Sequence, residues 1–297
     1  MSSDRVKNTC VFIVVFAIFS FLFLEVATPS SIQAEEADST AYVEAGSDAI
    51  IEPGEKDLEE LAKASQNPVA AMISLPLKNR FSFDAGSEDA FTYELEMQPV
   101  YPVNLGKLNL INRFILPIAY QEPRYPGESY ETGLRDLTYQ AFFSPADAGE
   151  VIWGLGPAMI IPTHTENSLG NDKWAAGPAA IALTIRGPWV SGLLAQHFWD
   201  FAGDSDAADV NVSSLQYFVN YNFPNFYLNT SPTMLYDWKA DSDDDWTIPV
   251  GGGIGKVFLF CEMPVDIRVS AYWNVEAPDH APDWFTEFQV KFLFPKK

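Results

Sequence analysis

The chain has 297 residues, with 40 acidic against 18 basic side chains and a formal net charge of −22. That balance argues against nucleic acid as a partner and against electrostatic attraction to an anionic lipid surface. A hydrophobic share of 47% and an aromatic share of 14% exclude a disordered chain and supply the side chains that strands and membrane girdles use.

Arg5 and Lys7 precede an unbroken apolar run from Val11 to Leu24, followed by the small-residue stretch EVATPSSIQA. This is the order of a secretory signal peptide, expected over residues 1–34 with cleavage after Ala34. The run is shorter than the roughly 20 residues a transmembrane helix needs, so an uncleaved anchor is the weaker alternative. Cys10 falls in the signal, which leaves Cys261 alone in the mature chain and no intramolecular disulfide. No later apolar run approaches helical membrane length, so a membrane location requires strands.

Residues 35–70 read as an acidic periplasmic lead ending in a short helix. Asp57 is a fair N-cap, Leu58, Leu61, Ala62 and Ser65 share one face, and Pro68 ends the element. From Ala71 the period changes to two. Phe91, Tyr93, Leu95 and Met97 alternate with Thr92, Glu94, Glu96 and Gln98; Val265, Ile267, Val269, Ala271 and Trp273 alternate with Asp266, Arg268, Ser270 and Asn274. Strands are expected near 71–83, 91–103, 108–120, 133–143, 150–162, 174–186, 189–200, 212–223, 226–239, 246–258, 264–276 and 284–294. Short connections (NLGK, SPADAG, GP, PN, LFCEM) alternate with longer, acidic ones (EPRYPGESYET, THTENSLGND, FAGDSDAADV, ADSDDD, APDHAPD). That is how an antiparallel transmembrane β-barrel of about twelve strands is built, and residues 71–297 are assigned to one. The even count puts both barrel ends on the short-turn, periplasmic side, with the helix either in the periplasm or folded into the lumen as a plug. Aromatics such as Trp153, Trp189, Trp199, Trp246 and Trp273 near strand ends fit interfacial girdles.

Charge facing lipid at the bilayer midplane costs about 2–4 kcal/mol for Lys or Arg, so the charged parity is assigned inward. The expected lumen lining is Lys78, Arg80, Glu94, Glu96, Arg113, Asp136, Asp237, Lys239, Asp266, Arg268 and Glu287, with Lys291 on the same face. Opposite charges across neighbouring strands can pair. Gly154, Gly156, Gly177, Gly251, Gly253 and Gly255 leave little bulk on the wall. They make room for a solute or the N-terminal segment, or they permit sharp strand coiling.

No catalytic, cofactor or metal site is expected. His164, His197 and His280 lack metal-ligand spacing. Ser191 and His197 share a strand but stand about 20 Å apart along it, and no G-x-S-x-G is present. The acidic run Asp241 to Asp245 lacks the glycine and distal glutamate of an EF-hand.

The strings LAKASQNPVAAMISLPLKN, ILPIAYQ, GLRDLTYQAFFSP, IWGLGPA, KWAAGPAAIAL, GPWVSGLLAQHFWDFAGD, QYFVNYNF, WTIPVGGGIGK and FQVKFLFPK occur in order from about Leu61 to Lys296. Together they resemble a widespread bacterial family of outer-membrane barrels, often labelled transporters or mislabelled neuromedin U, and related to the meta-pathway phenol-degradation barrel proteins. The resemblance implies a barrel of twelve or so strands and passive passage of small molecules, hydrophobic or aromatic ones among them. It carries over no catalytic residues. Phe292-Leu293-Phe294 near the end resembles the signal read by the barrel-assembly machinery, although Pro-Lys-Lys follows it. The expected partners are therefore outer-membrane lipid and lipopolysaccharide, the assembly machinery and a small solute. The rival reading is a plugged structural or surface-interaction barrel whose acidic loops bind divalent cations, lipopolysaccharide or a protein.

Overall fold

The structure, a computed structural model, describes residues 55–147, 149–241 and 244–295; the expected signal peptide and the first part of the acidic lead lie outside the described residues. Helix α1 (Glu55–Ser65) comes first, starting slightly earlier than the Asp57 cap suggests. No helix among the described residues is long and apolar enough to cross a membrane.

Twelve antiparallel strands follow. They are β1 (Ile73–Ala85), β2 (Ala90–Met97 and Val100–Asn104), β3 (Leu108–Gln121), β4 (Glu131–Leu134 and Leu137–Pro145), β5 (Val151–Ile161) and β6 (Lys173–Arg186). The second half comprises β7 (Trp189–Gly203), β8 (Asn211–Asn222), β9 (Tyr227–Thr230 and Thr233–Asp237), β10 (Trp246–Phe260), β11 (Met263–Glu276) and β12 (Pro282–Phe294). Each strand pairs with its sequence neighbours, and β1 pairs with β12 from Ile73↔Phe294 to Ala85↔Pro282, which closes the ring. Closure leaves no edge, so backbone donors and acceptors are satisfied without water, as a bilayer interior requires.

Three strands are interrupted. Pro99 and Pro232 sit at the breaks in β2 and β9, where a residue with no N–H cannot extend the ladder. The break in β4 falls at Arg135 and Asp136, and side chains replace the ladder there: Thr163 Oγ1 accepts from the Leu137 amide and donates to the Arg135 carbonyl.

Alternation sorts the faces. Leu155, Leu193, Val250, Ile254 and Val269 point outward and are each about half exposed or more, whereas Ile111, Ala158 and Val190 point inward and are fully buried. Contacting aromatics ring both ends of the outer wall. Trp189, Tyr221, Phe223 and Phe226 form a chain at the short-turn rim; Tyr236, Trp238 and Trp246 lie together at the other, as does Phe83 stacked on Trp284. This belt is what a membrane-spanning barrel presents to its two interfaces.

The glycines divide by role. A Cβ on Gly156 would collide with the Ala141 carbonyl oxygen, and one on Gly251 with that of Ala271. These positions permit close, coiled strand approach. Gly154 faces Val69, Phe142 and Ile181 and gives room to the N-terminal segment, and Gly255 lies under the Tyr227 ring.

Candidate functional site

The lumen wall has two unlike halves. The inward faces of β3 to β8 form one apolar cluster with Ile111, Phe142, Ala158, Ala179, Ile181, Leu194 and Phe218, and Val69 of the N-terminal segment packs into it. The inward faces of β1, β2, β11 and β12 carry charge.

The register creates the charged half. Lys78 stands opposite Glu96 and Arg80 opposite Glu94 across β1 and β2, while Arg80 stands opposite Glu287 across β1 and β12. Lys78 Nζ lies 2.8 Å from Glu96 and 3.4 Å from Glu287. Arg80 donates to Glu287 Oε1 at 2.9 and 3.1 Å and lies 4.8 Å above the Phe285 ring, a cation–π contact. Glu94 takes as its ion-pair partner Arg135, from the break in β4, at 2.9 Å. Three cations and three carboxylates therefore neutralise one another in the outer part of the lumen, the arrangement that makes charge tolerable away from bulk water.

Nearer the short-turn end the balance differs. Asp266 accepts from the Tyr227 hydroxyl at 2.7 Å and from Ser65 Oγ at 3.1 Å. Arg113 donates to Gln98 Oε1 at 2.6 Å and Arg268 to Gln289 Oε1 at 3.3 Å, while Lys291 Nζ donates to the Ser65 carbonyl at 2.7 Å. Among the described residues no carboxylate makes an ion pair with any of these three cations.

Two cavities lie within the lumen. The outer, of about 520 Å³, runs from Arg124, Pro278 and His280 in the long-loop region down to Glu96, Arg113 and Gln216. The inner, of about 130 Å³, is lined by Ser65 to Pro68, Arg113, Phe218, Asp266, Arg268 and Lys291. Both share Lys78, Gln98, Arg113 and Gln216, which ring the junction between them. The N-terminal segment closes the inner end. Gln66 and Asn222 exchange side-chain hydrogen bonds at 2.8 and 3.1 Å, and Ala62 of α1 packs on Val257 and Leu293 with Leu58, Leu61 and Met72 around them. Of the two positions open to the helix, the structure adopts the plugged one.

Eight of the eleven expected lining residues stand on the lumen wall, Lys78, Arg80, Glu94, Glu96, Asp266, Arg268 and Glu287 in the charged half and Arg113 on β3. Three stand elsewhere. Asp136 lines neither lumen cavity; its carboxylate takes the amides of Thr163, His164 and Asn171 and sits 2.6 Å from His164 Nδ1, tying the break in β4 to the loop after β5. Asp237 ends β9 at the long-loop rim and accepts from the Lys239 amide. Lys239 lies beyond the strand and pairs with Asp209 at 3.2 Å; that hydrogen bond, with the charges of Lys239 and Lys173, holds the Asp209 carboxyl below its usual range. Asp136 lies at a break, Asp237 is the last residue of its strand and Lys239 lies beyond it, where alternation no longer decides what a side chain meets. Arg135 reaches Glu94 from the break in β4, which alternation along the strand does not reveal; Gln98, Gln216 and Gln289 share the inward polar parity of the charged residues and line the cavities with them.

On the outer wall, His197 Nδ1 lies 2.8 Å from Ser213 Oγ, and Trp238 Nε1 donates to the same hydroxyl at 2.9 Å. His197 Nε2 makes no hydrogen bond among the described residues.

No protein-family model matches the sequence, and no curated protein is recognisably similar to it. Among solved structures, the fold is similar to that of an outer membrane channel from Pseudomonas putida F1, with a TM-score of 0.60 at 17% identity over 75% of this chain and 96% of that one. The NanC porin is a remoter likeness, with a TM-score of 0.44 at 10% identity over 75% and 100% of the two chains. At these identities the likeness is one of fold. With the closed ring and the aromatic-bounded apolar exterior, it makes the chain a barrel of the cell outer membrane.

Proposed function

We propose that the protein is an outer-membrane channel for passive passage of small molecules, held shut at its periplasmic end by residues 65–70. The observation that carries this reading is the pair of adjoining lumen cavities, with the N-terminal segment across the inner one. A lumen of twelve strands is wider than side chains alone fill. Here it is narrowed on one side by an apolar wall and ended by a segment held through few contacts.

Those contacts set how often the lumen opens. Hydrogen bonds from Ser65, Lys291, Gln66 and Asn222 contribute about 1 kcal/mol each, and burial of Val69 about 2 kcal/mol more. A closed state favoured by about 6 kcal/mol outnumbers the open one by about 10⁴–10⁵ to one. Wild-type protein in planar bilayers should therefore conduct in rare events, and deletion of residues 35–67 should give steady conductance. A silent deletion variant that still folds as a heat-modifiable barrel would sink the reading in favour of a plugged structural barrel.

The reading involves no chemical step. Hydrophobic or aromatic cargo, as the resembling family implies, fits an apolar half-lumen of Phe142, Leu194 and Phe218. Lipopolysaccharide around the outer girdle and the barrel-assembly machinery are the remaining proposed partners; a nucleic acid is not among them.

A further inference from the structure

We propose that the inner lumen selects anions, and in particular holds the carboxylate of a small amphipathic solute at Arg113 and Arg268. The inference rests on the channel reading above and names its substrate class.

The outer lumen is electrically balanced, as its three ion pairs show. The inner lumen is not. Arg113, Arg268 and Lys291 face the inner cavity with Asp266 as their one carboxylate, and that group is already engaged by Tyr227 and Ser65. Among the described residues Arg113 and Arg268 each make a single side-chain hydrogen bond, to a neutral glutamine, with the rest of each guanidinium fork unengaged and Arg268 Nε without a partner. A cation in a narrow, partly dehydrated passage is stabilised by an anion that completes its hydrogen bonds, and the guanidinium fork matches a carboxylate in two-point geometry. Arg113 also stands at the junction that every solute entering from outside must pass. The side chain directly across from it on β2 is Val100, and Phe218 lines the same cavity from β8. Charged head and apolar body are thus both provided for, within a protein whose overall charge is −22. The acidic exterior therefore does not report the charge that passes.

The test is electrical. Full-length protein and the full-length plug-loosened variant Gln66→Ala/Val69→Ala are placed in planar bilayers under a potassium chloride gradient. The expected reversal potential lies toward the chloride limit. Arg113→Gln/Arg268→Gln, built on the plug-loosened chain, should shift it toward the potassium limit, whereas Arg186→Gln at the exposed periplasmic rim should not. Hexanoate added to the long-loop side should block chloride current at lower concentration than acetate. Arg113→Lys/Arg268→Lys should keep the anion preference and lose much of the hexanoate block. Potassium preference before any charge is removed overturns the inference and leaves the channel standing, as does an anion preference that the glutamine variant does not move. If the glutamine variant fails to fold, the sign of the reversal potential and the lysine variant still decide. Absence of current from both the wild type and the plug-loosened chain overturns the channel reading itself.

Discussion

Glu287 shows what a single residue does in this wall: one carboxylate holds both Lys78 and Arg80, so three strand positions are coupled through one side chain. Such a residue was readable in the sequence, because strict alternation in FTEFQVKF fixes its face and the cost of charge in lipid fixes which face is inward. Asp136 was not readable. It lies at an interruption, where the carboxylate answers to loop amides rather than to parity. The hairpin between β10 and β11 carries a different single-residue cost. Cys261 and Glu262 both occupy the left-handed region, at φ of 48° and 63°, which costs ordinary L-residues about 1–2 kcal/mol each. Two-residue hairpins prefer Asn-Gly there. Cys261→Asn/Glu262→Gly should therefore raise stability by about 1 kcal/mol net of the chain entropy that glycine adds. Urea titration in detergent micelles, following the heat-modifiable band on gels, reads the midpoint; an unchanged or lower midpoint would show that the turn is not strained.

Among the elements, the strands were the most legible part of the fold and their interruptions the least. Expected ranges such as 91–103 and 226–239 run straight across Pro99 and Pro232, where the structure breaks the ladder. Alternation survives one missing N–H, so a periodicity argument does not see the break. The apolar half of the lumen was likewise hidden. Phe142, Leu194 and Phe218 point inward beside Gln140, Gln196 and Gln216 on the same faces, so alternation marks the face but not the apolar cluster gathered on it. Where contrast exists, the face assignment makes a sharp prediction. Val269 of β11 faces outward and is half exposed, while its neighbour Ser270 faces inward and is buried. Val269→Arg should destabilise the folded barrel by about 2–4 kcal/mol if its position lies near the midplane. Leu193→Arg on β7 should behave alike, whereas Gln216→Ser in the lumen should cost less than either. Refolding yield into lipid vesicles against urea measures all three, and equal losses across the set would mean the inward and outward faces are confused.

At the scale of the whole molecule, the distribution of connections decides orientation. The turns at 105–107, 146–150, 187–188, 223–226 and 261–262 lie at one rim, the rim to which α1 and the segment after it are attached. The longer connections lie at the other, and they are the structured ones. Two of them are joined where Asn171 Nδ2 donates to the Ala208 carbonyl at 2.9 Å and the Asp204 amide to the Asp172 carbonyl at 2.9 Å. Asp209 and Lys239 join the second of these to a third. Loops that bond to one another in this way are built to hold their form without the lipid's support, which suits a surface facing the medium rather than turns left in the periplasm. The outer cavity opens among these same loops, at Arg124, Pro278 and His280, so a solute meets it before it meets the plug. Epitope tags inserted after Gly127, Asp206 or His280 should therefore bind antibody on intact cells, whereas tags after Gly106, Gly187 or Asn225 should bind only after the outer membrane is permeabilised. Labelling of the second set on intact cells would invert the barrel and place the N-terminal segment, and with it the closed end of the lumen, at the cell surface.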